Sequence, residues 1–180
     1  MPQPLTQLGD EPPARSRGEL LATSSRRCGG YELRRSDLPV PTTGVVATHF
    51  VVARNIDTTV RFYSEVLGGE VVSERVREGA PTYVRLANIW IGVNAGGGPT
   101  PDKPDVFLDV HDDASRYDSF LNLRVADIQA VYEEWRGRGA EFLTPPLDNQ
   151  GYELRCYLRD PDNRIIEVGQ ATGFLEDLED

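Results

Sequence analysis

The second half of this chain repeats the first, and that constrains its fold more than any other feature of the sequence. A β-rich run from Val45 to Ala53, broken by a single His49, reads as a strand. Asn55 or Asp57 then caps a helix in which Ile56, Val60, Tyr63 and Leu67 recur on one face, ended by Gly68-Gly69. Three short alternating segments follow, Glu70 to Glu74, Thr82 to Leu86 and Ile89 to Asn94. The pattern then recurs: a strand from Phe120 to Val125, a helix capped by Asp127 with Ile128, Val131, Tyr132 and Trp135 on one face, a stop at Gly137 to Gly139, and segments Glu141 to Leu143, Tyr152 to Leu158 and Arg164 to Val168. Ile56 maps onto Ile128 at an offset of 72, and Val93 onto Val168 at 75. Two βαβββ units at nearly constant offset predict an α+β fold of two like modules.

The rest of the chain frames these modules. Residues 1–43 are rich in Pro, Arg, Ser and Gly without sustained periodicity, and read as a flexible N-terminal tail. Residues 44–180 form the domain: module one over 45–94, a Gly- and Pro-rich linker over 95–118 with one candidate strand at Val106 to Val110, module two over 119–169, and an acidic C-terminal tail over 170–180. The linker opens on Gly96-Gly97-Gly98-Pro99. No apolar run is long enough to span a bilayer and the N-terminus shows no signal-peptide pattern, so the expectation is a soluble, cytoplasmic protein without a membrane partner. Cys28 and Cys156 have no CxxC spacing, and Cys156 reads as a small buried hydrophobe.

The net charge of −10 is uneven. Residues 1–43 carry 6 Arg against 5 acids, leaving 13 basic and 24 acidic residues for the remainder. Such a body repels nucleic acid, and no Lys/Arg cluster interleaved with aromatics overrides that field. It favours a cationic ligand instead.

The most informative stretch is Arg159 to Val168. Asp160-Pro161-Asp162-Asn163 is turn chemistry, because Pro161 presets φ and the Asp and Asn side chains bond nearby backbone. After the turn Glu167 places one carboxylate on an otherwise apolar strand. A lone Glu there ordinarily faces solvent. A single His in an apolar strand, as His49 is, ordinarily packs under a helix with its hydrogen bonds satisfied.

These segments resemble the vicinal oxygen chelate superfamily, which includes glyoxalase I, bleomycin-resistance proteins and extradiol dioxygenases. The resemblance is carried by Thr48-His49-Phe50-Val51-Val52, Arg61-Phe62-Tyr63-Ser64-Glu65-Val66-Leu67-Gly68, Leu121 to Ile128 and Arg159 to Glu167, and spans about Val45 to Gly169. It implies paired half-barrels around a ligand cup, a small-molecule ligand or substrate, and a homodimer. In metal-dependent members the first and last strands of each module supply ligands to one divalent ion. Glu167 matches that motif, Gly92 and Phe120 stand at two further ligand positions, and the fourth falls on Thr48, or on His49 if the strand-helix turn at Arg54-Asn55 is one residue shorter.

Two functions follow from the resemblance. In one, His49 and Glu167 hold a metal that polarises a substrate oxygen for lyase, isomerase or dioxygenase chemistry, a carboxylate moves a proton, and Asn122 is a weak third ligand. In the other, a metal-free cup binds or sequesters a small organic molecule, or, as a variant, acts as a cofactor-free enzyme with Glu167 as general base. Tyr83, Trp90 and Tyr152 then supply stacking surface, and Asn122, Arg124 and Glu167 the oriented polar groups.

Overall fold

The structure is a computed structural model, and it describes residues 27–28, 31–32, 35–73 and 79–173. Arg27–Cys28 (β1) and Tyr31–Glu32 (β2) form a two-residue antiparallel pair, and Arg35–Asp37 a turn of 3-10 helix. Part of the expected tail therefore has regular structure, and Glu74 lies outside the described residues.

Module one contains β3 (Thr48–Val52), α1 (Ile56–Arg61), β4 (Glu70–Ser73), β5 (Thr82–Leu86) and β6 (Ile89–Asn94). Module two contains β7 (Leu121–Arg124), α2 (Ile128–Gly137), β8 (Leu147–Asn149), β9 (Glu153–Arg159) and β10 (Ile165–Ala171). Each builds a four-stranded mixed sheet, of order β3-β6-β5-β4 and β7-β10-β9-β8. In both, the first strand lies parallel to the last and the others pair antiparallel. The sheets are open, and the repeated topology is the α+β pair of modules that the sequence repeat predicts.

Both helices start where their caps dictate. Asn55 accepts the Thr58 N–H at 3.0 Å and Asp127 the Ala130 N–H at 2.9 Å, satisfying donors that a helix leaves unpaired. Beyond Arg61 the first helix continues as a π turn over Phe62–Val66, which buries both Phe62 and Tyr63.

Alternation fixes the faces. Val51, Val84, Ile91 and Val93 point to the helix side of the first sheet, and Leu121, Cys156, Leu158, Ile166 and Val168 to that of the second, all within one apolar cluster that includes Ile128 and Trp135. Cys156 is fully buried, and desolvation pushes its thiol up to about 11, which makes it an inert core hydrophobe.

Three boundaries differ from the sequence expectation. Val106 to Val110 is no strand: Leu108 makes only an isolated bridge to Gly97, and Val106, Phe107 and Leu108 stay exposed beside no partner strand. Glu141 to Leu143 only skirts β9, through Leu143 N–H to Tyr157 O and Arg159 N–H to Glu141 O, and Pro145-Pro146 then interrupts pairing so that the edge strand is Leu147–Asn149. β10 continues to Ala171, two residues past the expected end of module two. Among the described residues no helix is long and apolar enough to cross a membrane.

The modules are joined by the turn that precedes β10. Asp160 accepts the N–H groups of Asp162 and Arg164, the Arg164 guanidinium at 2.7 Å and, from module one, the Tyr63 hydroxyl at 3.3 Å. Asp162 accepts the Arg54 N–H and the Thr59 hydroxyl, both at 3.3 Å. Both carboxylates are buried, so the turn acts as a polar clasp on the start of the first helix.

Candidate functional site

Glu167 is 5% exposed although it lies on the sheet face away from α2. Its neighbours explain this. The register sets Asn122 on one side of it and Tyr157 on the other. The Asn122 amide donates to Oε1 and the Tyr157 hydroxyl to Oε2, and the Arg155 guanidinium stands 3.6 Å from Oε2. The bond to Glu167 raises the Tyr157 pKa, with desolvation the next cause, so the phenol stays a donor.

The network extends one carboxylate further. Glu153 binds Arg124, Arg155 and the Asn149 amide, and its bond to Arg124 is the main reason its own pKa is lowered. Arg124 lies flat because Gly169 beneath it has no side chain; a Cβ there would meet its guanidinium. Two carboxylates and two guanidinium groups thus form one layer, joined by hydrogen bonds through Asn122, Asn149, Tyr157 and Arg124 and by the ion pairs of Arg155.

The matching face of the first sheet is aromatic. Phe50 stands edge-on to Tyr83, their centroids 6.1 Å apart. Its ring lies over Gly92, where a Cβ would come within 2.7 Å of it. Trp90 donates its indole N–H to the Asp37 carbonyl at 2.9 Å, so the 3-10 turn folds onto this face.

The structure therefore brings Glu167, Asn122 and Arg124 together on one sheet and Tyr83 and Trp90 on the other. Tyr152 sits apart in the β8–β9 turn, 53% exposed. The phenol that touches Glu167 is Tyr157, which sequence reading passed over together with Arg155. The signal was present: Glu153, Arg155, Tyr157 and Arg159 alternate with apolar Leu154, Cys156 and Leu158 along one strand.

His49 takes the helix side. It pairs in register with Ile91 and shares a face with Val51, while Thr48 and Phe50 take the opposite face with Trp90 and Gly92. Burial, then the Arg164 charge, lowers its pKa, with Asp160 opposing. No hydrogen bond or ion pair joins it to Glu167 among the described residues.

A divalent ion does not fit this donor set. Both oxygens of Glu167 are held by donors, a guanidinium stands where a second cation would crowd it, and Phe50 fills the space above Gly92. Phe120, at another expected ligand position, carries no donor atom. Among the described residues no group of three or more His, Cys, Asp or Glu side chains is arranged to hold a metal.

Comparison with known proteins shows the family and the fold. The family model described as Glyoxalase/Bleomycin resistance protein/Dioxygenase superfamily matches residues 45–168. No curated protein matches the chain. Among solved structures, an integron cassette protein from the mobile metagenome of V. cholerae shares 20% identity at a TM-score of 0.53, covering 73% of this chain and 98% of that one. A glyoxalase/bleomycin resistance protein/dioxygenase from Alicyclobacillus acidocaldarius shares 16% at 0.56, over 74% and 96%. The fosfomycin resistance protein FosX from Listeria monocytogenes, in a mutant complexed with Mn(II) and 1S,2S-dihydroxypropylphosphonic acid, shares 15% at 0.53, over 75% and 96%. At these identities the likeness shows the fold.

Proposed function

Because this chain belongs to the glyoxalase/bleomycin resistance protein/dioxygenase superfamily, we propose that it binds a small organic molecule across the open faces of its sheets, without a metal. The observation that carries this reading is the state of Glu167: buried, with each oxygen on a donor and a guanidinium beside it. A carboxylate so held orients Asn122, Tyr157 and Arg155 toward a ligand and is not free to coordinate an ion. The aromatic face of Phe50, Tyr83 and Trp90 supplies flat apolar surface, and this division into apolar area and a few fixed polar groups is what a ligand site needs. The acidic body draws an uncharged or cationic molecule more readily than an anion. Metal-assisted lyase, isomerase or dioxygenase chemistry would require donors that this arrangement does not offer. The homodimer that the family resemblance implies belongs to the same proposal, with light scattering as its measurement.

The test combines metal analysis of protein purified without chelator with a thermal-shift screen of cationic glycopeptides and aromatic metabolites. The expected result is substoichiometric divalent metal, with a ligand that stabilises the fold by about 2.7 kcal/mol at a hundred times its Kd. Glu167→Gln should weaken that ligand by roughly tenfold, the effect of losing about 1.4 kcal/mol of oriented hydrogen bonding. Stoichiometric metal that disappears in Glu167→Gln would sink the proposal.

A further inference from the structure

Where the modules meet, away from the Glu167 layer, a cavity of about 270 Å³ opens between the edge strand β3 and the start of β7. We propose that this seam is a second binding site, for a small aromatic amine whose ring lies between Phe50 and Phe120 and whose ammonium group is directed to Asp109 and Asp118. Its volume falls just under the ~300–1,000 Å³ of sites for drug-sized ligands, which suits a molecule of one ring. Phe50 and Phe120 come from opposite modules, border the cavity together and are each 52% exposed. Their rings present the apolar, electron-rich faces that attract an aromatic cation.

The polar groups select the charge. Asp109 and Asp118 border the cavity, and neither enters an ion pair among the described residues. The cation in the wall, Arg164, is already neutralised by Asp160 at 2.7 Å and Asp162 at 3.5 Å. An anion would therefore meet two carboxylates outside any ion pair, in a lining whose guanidinium is already paired; Arg159, which pairs with no carboxylate among the described residues, lies behind the Tyr117 ring, 5.7 Å from its centroid. His49 also borders the cavity and has no hydrogen-bond partner among the described residues. Its lowered pKa keeps the ring neutral near pH 7, so one ring nitrogen accepts an N–H from the ligand. Asn122, Arg155 and Tyr157 do not border the cavity, so this site shares Phe50 with the aromatic face but none of the polar groups around Glu167.

The chain contains two histidines, His49 and His111, and both border the seam, so histidine ring NMR of the full chain reads it directly. Benzylamine is the probe, with cyclohexylamine and benzoate as comparisons. Benzylamine is expected to shift both histidine signals saturably, cyclohexylamine to bind about fivefold more weakly for want of stacking, and benzoate to leave them unmoved. Phe120→Ala and Asp118→Asn, at exposed positions where folding is checked by thermal unfolding, should each weaken benzylamine about fivefold or more, and Glu167→Gln should not. No saturable shift, benzoate binding as well as benzylamine, or parental affinity in both seam variants would overturn the proposal. Weakening by Glu167→Gln alone would assign the amine to the open face and overturn it equally. Failure at the seam leaves ligand binding at the Glu167 layer untouched.

Discussion

Gly92 in β6 and Gly69 in the turn before β4 show how differently two glycines of one module are constrained. A Cβ on Gly92 would meet the outer edge of the Phe50 ring, which is half exposed and can swing aside. A Cβ on Gly69 would meet the Tyr63 carbonyl oxygen at 2.8 Å and a methyl of buried Val84 at 2.6 Å, and a backbone carbonyl cannot swing. Gly69→Ala should therefore cost roughly 2–3 kcal/mol, as overpacking does. Gly92→Ala should stay within about 1 kcal/mol, because losing the Phe50–Tyr83 ring contact is offset by the easier ordering of Ala in a strand. Urea unfolding midpoints decide the matter, and equal losses at the two positions would contradict it. The absence of a carboxylate at position 92 was legible from the repeat alone. Its companion fact was not, since only the strand register shows that Phe50 occupies the space above it.

At the scale of elements, the clasp between the 160–164 turn and the first helix is the connection most exposed to test. Removing Asp160 leaves two turn N–H groups and the Tyr63 hydroxyl without their partner, and the Arg164 guanidinium with Asp162 alone. Breaking a buried pair this way costs about 3–5 kcal/mol, and the low end applies because Arg164 is 24% exposed and keeps Asp162. Asp160→Ala should thus cost about 3 kcal/mol, against no more than about 1 kcal/mol for Glu70→Ala, whose partner Arg85 is a surface residue. Similar losses in chemical denaturation would refute the clasp. Asp160-Pro161-Asp162-Asn163 was readable as a turn, but its grip on Thr59 and Tyr63 links residues about a hundred positions apart, which no local pattern reports. The same limit explains the second module's edge strand. Alternation in Glu141 to Leu143 suggested a strand, whereas the pairing partner is won by Leu147–Asn149 once Pro145-Pro146 has interrupted the ladder. Capping and helix periodicity, which are local, were recovered at both helices.

For the molecule as a whole, acid is the condition that loosens it. His49 has a folded pKa below its ordinary value, so on falling from pH 6.5 the unfolded chain takes up a proton that the folded chain resists, and stability declines through the folded value. Glu153, also held low, is lost in the same direction at more acid pH, when protonation breaks its pair with Arg124. The melting temperature should fall between pH 7 and pH 5, and His49→Gln should flatten that part of the curve; an unchanged slope would show that another group carries it. One further consequence lies in the contact between the 3-10 turn and Trp90. The chain has two indoles, and Trp135 is shut in the core at 7% exposure. Emission from Trp135 is therefore insensitive to what happens on the open face of the first sheet, while Trp90 changes its surroundings whenever the segment around Asp37 lifts. Trp90 emission therefore reads the contact between the Asp37 turn and the aromatic face, separately from the core signal of Trp135.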